Sequence, residues 1–483
     1  MTLRIYNSLT RKKEDFTPLE AGKVKMYVCG VTVYDYCHLG HARAYVVWDM
    51  VRRYLSTKYE VRYVQNITDI DDKILNRAKE RGITMQALAE EFIAAYDLDM
   101  ANLNILPADE YPRATESISA IIELIQTLEQ SGYAYAVSGD VYYAVQKFPN
   151  YGKLSGRKLE DMRAGASGRV DGDEPLKHYP FDFALWKSAK PDEPFWESPW
   201  GNGRPGWHIE CSAMVRSRLG DRIDIHSGGA DLQFPHHENE IAQSEAATHQ
   251  PLANYWMHNG FVNIEGEKMS KSLGNFTTIR ALSTHYDPMA IRLFILQSHY
   301  RQPIDFTEEA INAATKGWET IEIGLRFADK KLLELASEAQ LDSEMVNRFN
   351  AAMDDDFNTS IALSVVFELA KKLSTERNVF VHTGKIVTEV DKLAQIWKTL
   401  KYLTDLLGLE AEPLQETGIQ LPPSAGEKMF EDLKDGEINR MVEQRVEARR
   451  TKNWKESDRL RDELKAMNII LIDQPDGTTR WRR

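Results

Sequence analysis

Cysteine is scarce in this sequence of 483 residues, which contains only Cys29, Cys37 and Cys211. An odd, widely spaced set of three does not build a disulfide framework, so the thiols stay available as metal ligands in a reducing compartment. No stretch approaches the ~20 apolar residues that a membrane helix needs, and the first residues lack the apolar core of a signal peptide. These absences argue against a disulfide-stapled secreted domain and against a membrane protein. We therefore expect a cytoplasmic protein without a membrane partner.

Positive charge is also in short supply, because the formal net charge is −13. An acidic chain is a poor general coat for nucleic acid. The balance changes locally, since residues 441–483 contain eleven Lys/Arg and eight Asp/Glu, an excess of +3 that leaves −16 for the remainder. A basic end on an acidic body suits a partner with a phosphate backbone, although a solvated charged helix explains the counts equally well.

The hydrophobic pattern predicts an α/β fold. Strand-like runs at Val24–Val33 and Val61–Ile67 alternate with helical periodicity at Ala44–Leu55 and Thr84–Asn102, which is typical of a parallel sheet of Rossmann type. The length suggests roughly three domains. We predict a sheet domain in two halves (1–111 and 205–307), an inserted connective domain (112–204), a helical bundle (308–408), a linker containing Pro and Gly (409–436) and a small C-terminal domain (437–483).

Two distant segments indicate that a triphosphate is handled. His38-Leu39-Gly40-His41 lies between the first strand and the first helix, where two imidazoles at a helix N-terminus could cradle a phosphate. Lys268-Met269-Ser270-Lys271-Ser272 places two lysines on a loop, and lysine is a point-charge binder of phosphate. Taken singly, each segment is common for structural reasons, as a helix start or a solvated basic turn.

Four residues offer a possible metal site. Cys29, Cys211, His236 and Glu240 supply two thiols, an imidazole and a carboxylate, all of which are competent zinc ligands. His236 and Glu240 are four residues apart and share one face if they lie on a helix. The spacing lacks a Cys-x-x-Cys knuckle, and buried cysteines more often act as small hydrophobic residues.

The two lysine- and histidine-containing segments resemble the HIGH and KMSKS signatures of class I aminoacyl-tRNA synthetases. Further motifs resemble the cysteinyl-tRNA synthetase family over essentially the whole chain: MYVCGVTVYD (26–35), NITDIDDK (66–73), GWHIECS (206–212), PHHENE (235–240), MDDDFNT (353–359) and GTTRWRR (477–483). The resemblance implies a Rossmann-type catalytic domain with an insertion, a helical bundle and an anticodon-binding C-terminal domain. It also implies one zinc ion per chain on Cys29, Cys211, His236 and Glu240.

The family resemblance implies specific roles for the remaining site residues. ATP, with Mg²⁺, would meet His38, His41, Gly229, Asp231 and Lys271, and Lys268 would join His38, His41 and Lys271 in catalysis. Gly30, Thr68 and Trp207 would contact L-cysteine. The acceptor would be tRNA(Cys), which the C-terminal end with Trp481 and its neighbouring arginines would read. Nothing in the sequence demands more than a monomer.

The chemistry supplies a reason for zinc in such a pocket. A zinc ion with an open coordination position can bind the thiolate of substrate cysteine, whereas size alone separates cysteine from serine by only ~1–3 kcal/mol. His208, His237 and Glu238 could orient the ligands, and Cys37 is expected to pack in the core. The alternatives are a cysteine ligase that uses an amino-sugar acceptor, a catalytically inactive RNA-binding protein and a zinc hydrolase.

Overall fold

The computed structural model describes residues 2–161, 176–264, 266–268, 277–328 and 330–411, together with 442, 445, 448, 457, 459–461, 464, 470–473 and 479–482. The chain divides into two compact units, Met1–Leu414 and Gln415–Arg483. Within the described part, no helix combines the length and apolar character needed to cross a bilayer.

A four-stranded parallel sheet forms the centre of the first unit and confirms the predicted α/β fold. Its strands are β3 (Lys23–Thr32), β4 (Glu60–Thr68), β9 (Ile223–Gly229) and β10 (Ala253–Asn259), in the order β10-β9-β3-β4. The chain moves outward from β3 to β4 and later returns to the other side of β3. Open α/β sheets bind ligands where the strand order reverses, so the carboxyl ends of β3 and β9 are the expected site.

Helices lie on both faces of the parallel sheet and around it. They are α1 (Leu39–Leu55), α2 (Asp72–Arg81), α3 (Met85–Asn102), α4 (Ile118–Gln130), α5 (Trp207–Leu219), α6 (Glu238–Thr248), α7 (Ile279–Ser283) and α8 (Pro288–Leu296). Side chains alternate along β3: Val24, Met26 and Val28 join the core that includes α1, whereas Tyr27 and Cys29 join the core that includes α5 and α6. Sequence reasoning did not predict α2, whose apolar positions are few.

The inserted segment has a sheet of its own. It comprises β5 (Ala134–Val137), β6 (Asp140–Tyr143), β7 (Phe183–Ser188) and β8 (Gly203–Pro205), which pair antiparallel in chain order. Two smaller sheets also lie in the first unit: β1 (Arg4–Asn7) pairs with β2 (Lys12–Asp15), and β11 (Val262–Ile264) lies between β12 (Glu267–Lys268) and β13 (Ile304–Phe306).

Helices follow β13, as the helix-forming composition predicts. They are α9 (Glu308–Arg326), α10 (Lys330–Glu338), α11 (Ser343–Met353), α12 (Thr359–Thr383) and α13 (Val390–Leu406). Their buried apolar side chains, such as Trp318, Leu369 and Leu400, continue the core that contains α1. The bundle and the α1 side of the parallel sheet therefore share one hydrophobic core.

The second unit contains an antiparallel pair of strands near the end of the chain. These are β14 (Ile470–Asp473) and β15 (Thr479–Arg482), with Leu471 opposite Trp481. The apolar run Ile469-Ile470-Leu471-Ile472 is typical of a strand.

Candidate functional site

A cavity of about 330 Å³ opens at the carboxyl ends of the parallel strands. Its walls come from the end of β3, the first turn of α1, the ends of β9 and β10, and the start of α2. The lining includes these residues predicted from sequence: Cys29, Gly30, His38, His41, Gly229 and Asp231. The structure thus brings predicted metal, ATP and amino-acid contacts into one site at the point where the strand order reverses.

His38 and His41 form a reciprocal cap at the start of α1. His38 Nδ1 accepts the Gly40 N–H at 3.1 Å, His41 Nδ1 accepts the His38 N–H at 3.1 Å, and the two rings stack with centroids 3.9 Å apart. Because each Nδ1 accepts a hydrogen bond, the proton of each neutral ring lies on Nε2. Both rings can therefore present an N–H donor to an anion, beside a helix N-terminus that also favours negative charge.

The chain just beyond the second signature segment contacts the first. Lys268 is in β12, and residues beyond the loop bind the first segment directly: Leu39 N–H donates to Thr277 O at 3.1 Å, and Ile279 N–H donates to Cys37 O at 2.9 Å. Lys271 lies outside the described residues. The backbone that follows the loop therefore lies against the first segment, whereas the contact between the two signature segments stays a prediction.

Gly229 and Asp231 lie at the end of β9, where an adenosine contact was predicted. A Cβ atom at Gly229 would come within 2.4 Å of a carboxylate oxygen of Asp231, so the carboxylate folds over the glycine. Both residues line the cavity. An exposed carboxylate above a glycine-lined strand end can accept hydrogen bonds from ribose hydroxyls.

The four predicted zinc ligands converge beside the cavity. β3 supplies Cys29, α5 supplies Cys211, α6 supplies Glu240, and His236 lies just before α6. Their ligand atoms all lie within 4.8 Å of one another, and all four residues are buried. Two soft sulfurs, an imidazole nitrogen and a carboxylate oxygen match the donor set that zinc prefers.

A second set of histidines surrounds these ligands. His226 Nε2 lies 2.9 Å from Glu240 Oε2, His237 Nε2 lies 3.3 Å from Cys29 Sγ, and His208 Nδ1 lies 3.0 Å from His236 Nδ1. Cys29, His226, His237 and Glu240 also have ligand atoms within 4.8 Å of one another, so they form an overlapping alternative metal-binding set.

His226 was missed by sequence reasoning, whereas Glu238 has a different part from the one predicted. His226 is in register with Tyr27 on the neighbouring strand, and Tyr27 shares a sheet face with Cys29, so the position of His226 follows from strand order and register. The Glu238 carboxylate accepts the backbone N–H groups of Leu154 and Ser155, at 3.3 and 2.8 Å, and so binds the inserted segment.

The four residues of the ligand cluster differ in their ionisation at neutral pH. Burial alone would lower the pKa of His236, but Glu240 and Cys211 outweigh it and raise this pKa to about 9. A hydrogen bond from Cys29 lowers the pKa of Cys211 to about 6. Burial opposes ionisation of Glu240, yet His226 and His236 hold its pKa well below the usual range. Cys211 and Glu240 therefore carry negative charge at neutral pH. Burial raises the pKa of the Cys29 thiol well above its usual value, so Cys29 and His236 must each lose a proton to bind a metal.

The three predicted cysteine contacts occupy different places around the cluster. Gly30 lines the cavity, and its N–H donates to Asn66 Oδ1 at 2.8 Å. The Trp207 ring packs on His236 with centroids 4.1 Å apart. The Thr68 hydroxyl donates to a Glu210 carboxylate oxygen at 3.0 Å. Each of the three therefore lies near a predicted zinc ligand: Gly30 follows Cys29, Trp207 packs on His236, and Thr68 binds the residue before Cys211.

Comparison with known proteins identifies the class of protein to which the chain belongs. Family models match as follows: the tRNA synthetases class I (C) catalytic domain over residues 15–316, the DALR domain over 348–412 and the cysteinyl-tRNA ligase anticodon binding domain over 432–482. The parallel sheet, the paired signature segments and the first of these matches define a class I aminoacyl-tRNA synthetase.

Relatives over the full length narrow the assignment. The chain is 59% identical to the cysteine–tRNA ligase of Gloeothece citriformis over 494 residues and 60% identical to that of a Picosynechococcus species over 486 residues, covering 100% of both chains in each case. It belongs to the cysteine–tRNA ligase family.

Solved structures of similar fold are more distant in sequence. A methionyl-tRNA synthetase of Mycobacterium tuberculosis in complex with methionyl-adenylate has a TM-score of 0.52 at 18% identity, with 80% of this chain and 89% of that chain covered. A LeuRS of Agrobacterium radiobacter in a ternary complex with tRNA has a TM-score of 0.56 at 11% identity, with 82% and 85% covered. At these identities the likeness supports the fold alone.

Proposed function

We propose that this chain ligates L-cysteine to tRNA(Cys) with ATP, through a cysteinyl-adenylate. The observation that carries the proposal is the position of Cys29, which both lines the cavity and belongs to the metal-ligand cluster. A ligand held at this cluster therefore projects into the same space as one held by His38 and His41. The family supports the same reaction, because the relatives named above are cysteine–tRNA ligases.

Cys29, Cys211, His236 and Glu240 would hold one zinc ion. The donor set fits, because it is buried and consists of two thiols, an imidazole and a carboxylate. When bound, zinc supplies an open coordination position for the substrate thiolate. The surrounding histidines, His226, His237 and His208, contact the ligand residues and orient them. Gly30 would contact the amino acid from the cavity wall, and Trp207 and Thr68 would complete its pocket.

Serine is rejected in this proposal by ligand chemistry rather than by shape. A hydroxyl differs little in size from a thiol, and size alone would supply roughly 1–3 kcal/mol of discrimination. A serine hydroxyl ionises far less readily than a thiol and is a harder ligand, so it gains much less from the metal.

The signature residues position ATP and stabilise developing charge. His38 and His41 would donate Nε2–H groups to the triphosphate, and Gly229 and Asp231 would hold the adenosine. Lys268 and Lys271 would meet the charge that builds on pyrophosphate as the cysteine carboxylate attacks the α-phosphate. ATP would enter with Mg²⁺. Positioning and charge stabilisation, rather than proton transfer, would supply most of the rate enhancement in this step.

The C-terminal region would bind the tRNA. The domain boundaries given above stay predictions, with residues 437–483 proposed to read the anticodon. The family match over 432–482 supports this assignment. Trp481 is on β15, and an indole ring can stack on a base.

Pyrophosphate exchange tests the proposed function directly. Exchange is measured with each amino acid, followed by charging of unfractionated tRNA. We expect exchange with cysteine alone and charging of a single acceptor species. Exchange without charging would favour an amino-sugar ligase, and the absence of exchange would favour an inactive RNA-binding protein.

A further inference from the structure

Three consecutive aspartates, 354–356, connect α11 to α12 and have no part in the reaction proposed above. Asp356 and Phe357 both have left-handed backbone, with φ of +65° and +53°. Both are fully buried. Two successive non-glycine residues in this region cost free energy that the surrounding contacts must offset, and such sites often serve a function.

The Asp356 carboxylate binds the segment between α8 and β13. Oδ1 accepts the Tyr300 hydroxyl at 2.9 Å and the Tyr6 backbone N–H at 2.9 Å, and Oδ2 accepts Arg301 Nε at 2.7 Å. His299 Nε2 lies 3.6 Å from Oδ2. A residue of the helical bundle is therefore in direct contact with residues 299–301.

The same segment binds the helix that carries the signature histidines. Arg43 lies two residues after His41 on α1, and its guanidinium donates to the carbonyl oxygens of His299, Tyr300 and Gln302 at 3.0, 3.1 and 3.1 Å. Arg43 is fully buried, and each of its described hydrogen-bond acceptors, Ile295 O included, is a backbone carbonyl. Since carbonyl groups carry only partial charge, three or four of them must stay in place to solvate a buried cation.

The segment also touches the cavity wall. Gly260 lines the cavity, and its N–H donates to Tyr300 O at 2.9 Å. A Cβ atom at Gly260 would lie 2.4 Å from Gln302 O, so the two backbones are in close contact. Residues 299–302 are thus held by the bundle on one side and contact α1 and the cavity wall on the other.

We propose that Asp356 is a positioning residue for the ATP end of the active site. It acts through residues 299–302, whose carbonyls hold Arg43 on α1 and Gly260 at the cavity wall. The inference rests on the proposed function, because it concerns the ATP-binding step of that reaction. The cysteine end is built from β3, α5 and α6, so loss of the Asp356 carboxylate weakens ATP binding selectively.

Asp356→Asn tests the inference, because asparagine keeps the volume and tolerates left-handed backbone. The matched control is Asp355→Asn, which alters an exposed pair with Lys13, 2.7 Å long. Cysteine-dependent pyrophosphate exchange is measured as a function of ATP and of cysteine. We expect the KM for ATP to rise about tenfold in Asp356→Asn, as for loss of one charge-assisted hydrogen bond. The KM for cysteine in Asp356→Asn should change less than twofold, and so should both KM values in Asp355→Asn.

The alternative outcomes separate the possible failures. The inference is overturned if Asp356→Asn leaves the KM for ATP unchanged or raises the KM values for ATP and cysteine equally. The proposed function still stands in that case, provided that the unaltered protein shows cysteine-dependent exchange. No exchange by the unaltered protein overturns both. Tyr300→Phe removes one hydroxyl and decides the matter if Asp356→Asn does not fold: a selective rise in the KM for ATP supports the inference, and no change contradicts it.

Discussion

Gly30→Ala is the substitution for which the structure gives the sharpest expectation. Gly30 follows Cys29 on β3 and lies against the neighbouring strand β4. A Cβ atom here would lie 1.6 Å from Asn66 O and 2.7 Å from Asn66 C. Both are backbone atoms, so no side-chain rotation can relieve the clash. The two strands must move apart at the point where the register of β3 on β4 is already irregular, between Val28 and Val31.

The size of that movement decides the outcome for the metal cluster. Going from 1.6 Å to an ordinary contact of 3.4 Å requires a displacement of about 1.8 Å near Cys29. Metal–ligand distances vary by only about ±0.2 Å between sites. The Cys29 sulfur would therefore leave the ligand set if β3 moves, and overpacking of the core would cost a further ~1–3 kcal/mol of stability.

Three measurements on Gly30→Ala check this reasoning: zinc content per chain, the KM for cysteine in pyrophosphate exchange, and unfolding by urea. We expect substoichiometric zinc, loss of cysteine activation and a lower unfolding midpoint. Gly317→Ala, on α9, is the matched control, because its nearest neighbours at 3.2–3.4 Å are side-chain atoms of Phe367 and Leu293, which can shift. One tightly bound zinc and an unchanged KM for cysteine in Gly30→Ala would refute the argument.

Three further predictions address the metal, the loop and the C-terminal end. Cys211→Ser removes a buried thiol from the ligand set. We expect this variant to lose both its zinc and its ability to activate cysteine. Full metal content with normal cysteine activation would contradict the zinc assignment. Lys271→Ala should slow adenylate formation by ~10²-fold with little effect on cysteine binding, since it removes charge needed mainly in the transition state; stopped-flow measurements that show equal losses would contradict the role. Trp481→Ala should raise the KM for tRNA by roughly tenfold, as for loss of ~1–3 kcal/mol of stacking, while exchange stays normal; unchanged charging kinetics would count against base stacking.

Much of the architecture was predictable because it depends on local periodicity. The runs at Val24–Val33 and Ala44–Leu55 correspond to β3 and α1, and the helix formers after residue 308 form helices. The short helix α2 was not predicted, because its burial is confined to Ile74 and Ala78. A weak apolar stripe carries little periodic signal, so its helical state depends on capping by Asp71 and on its neighbours.

The candidate site divides along the same line. The donor types of the metal cluster and the paired signature segments could be read from residue chemistry and the family resemblance. The role of His226 could not be read from the sequence, because it depends on which strand lies beside β3 and in what register. The contact of Glu238 with the inserted segment likewise depends on a loop 84 residues away along the chain.

The sequence by itself determined the class of chemistry, because phosphate-binding and metal-ligating side chains are chemically distinctive wherever they lie. It also determined the alternation of strands and helices, which follows from side-chain periodicity. Only the tertiary structure decided that Cys29 serves both the cavity and the ligand cluster, and that Asp356 reaches Arg43 through residues 299–302. These relations depend on strand order and on packing between segments distant in sequence, which local pattern does not encode.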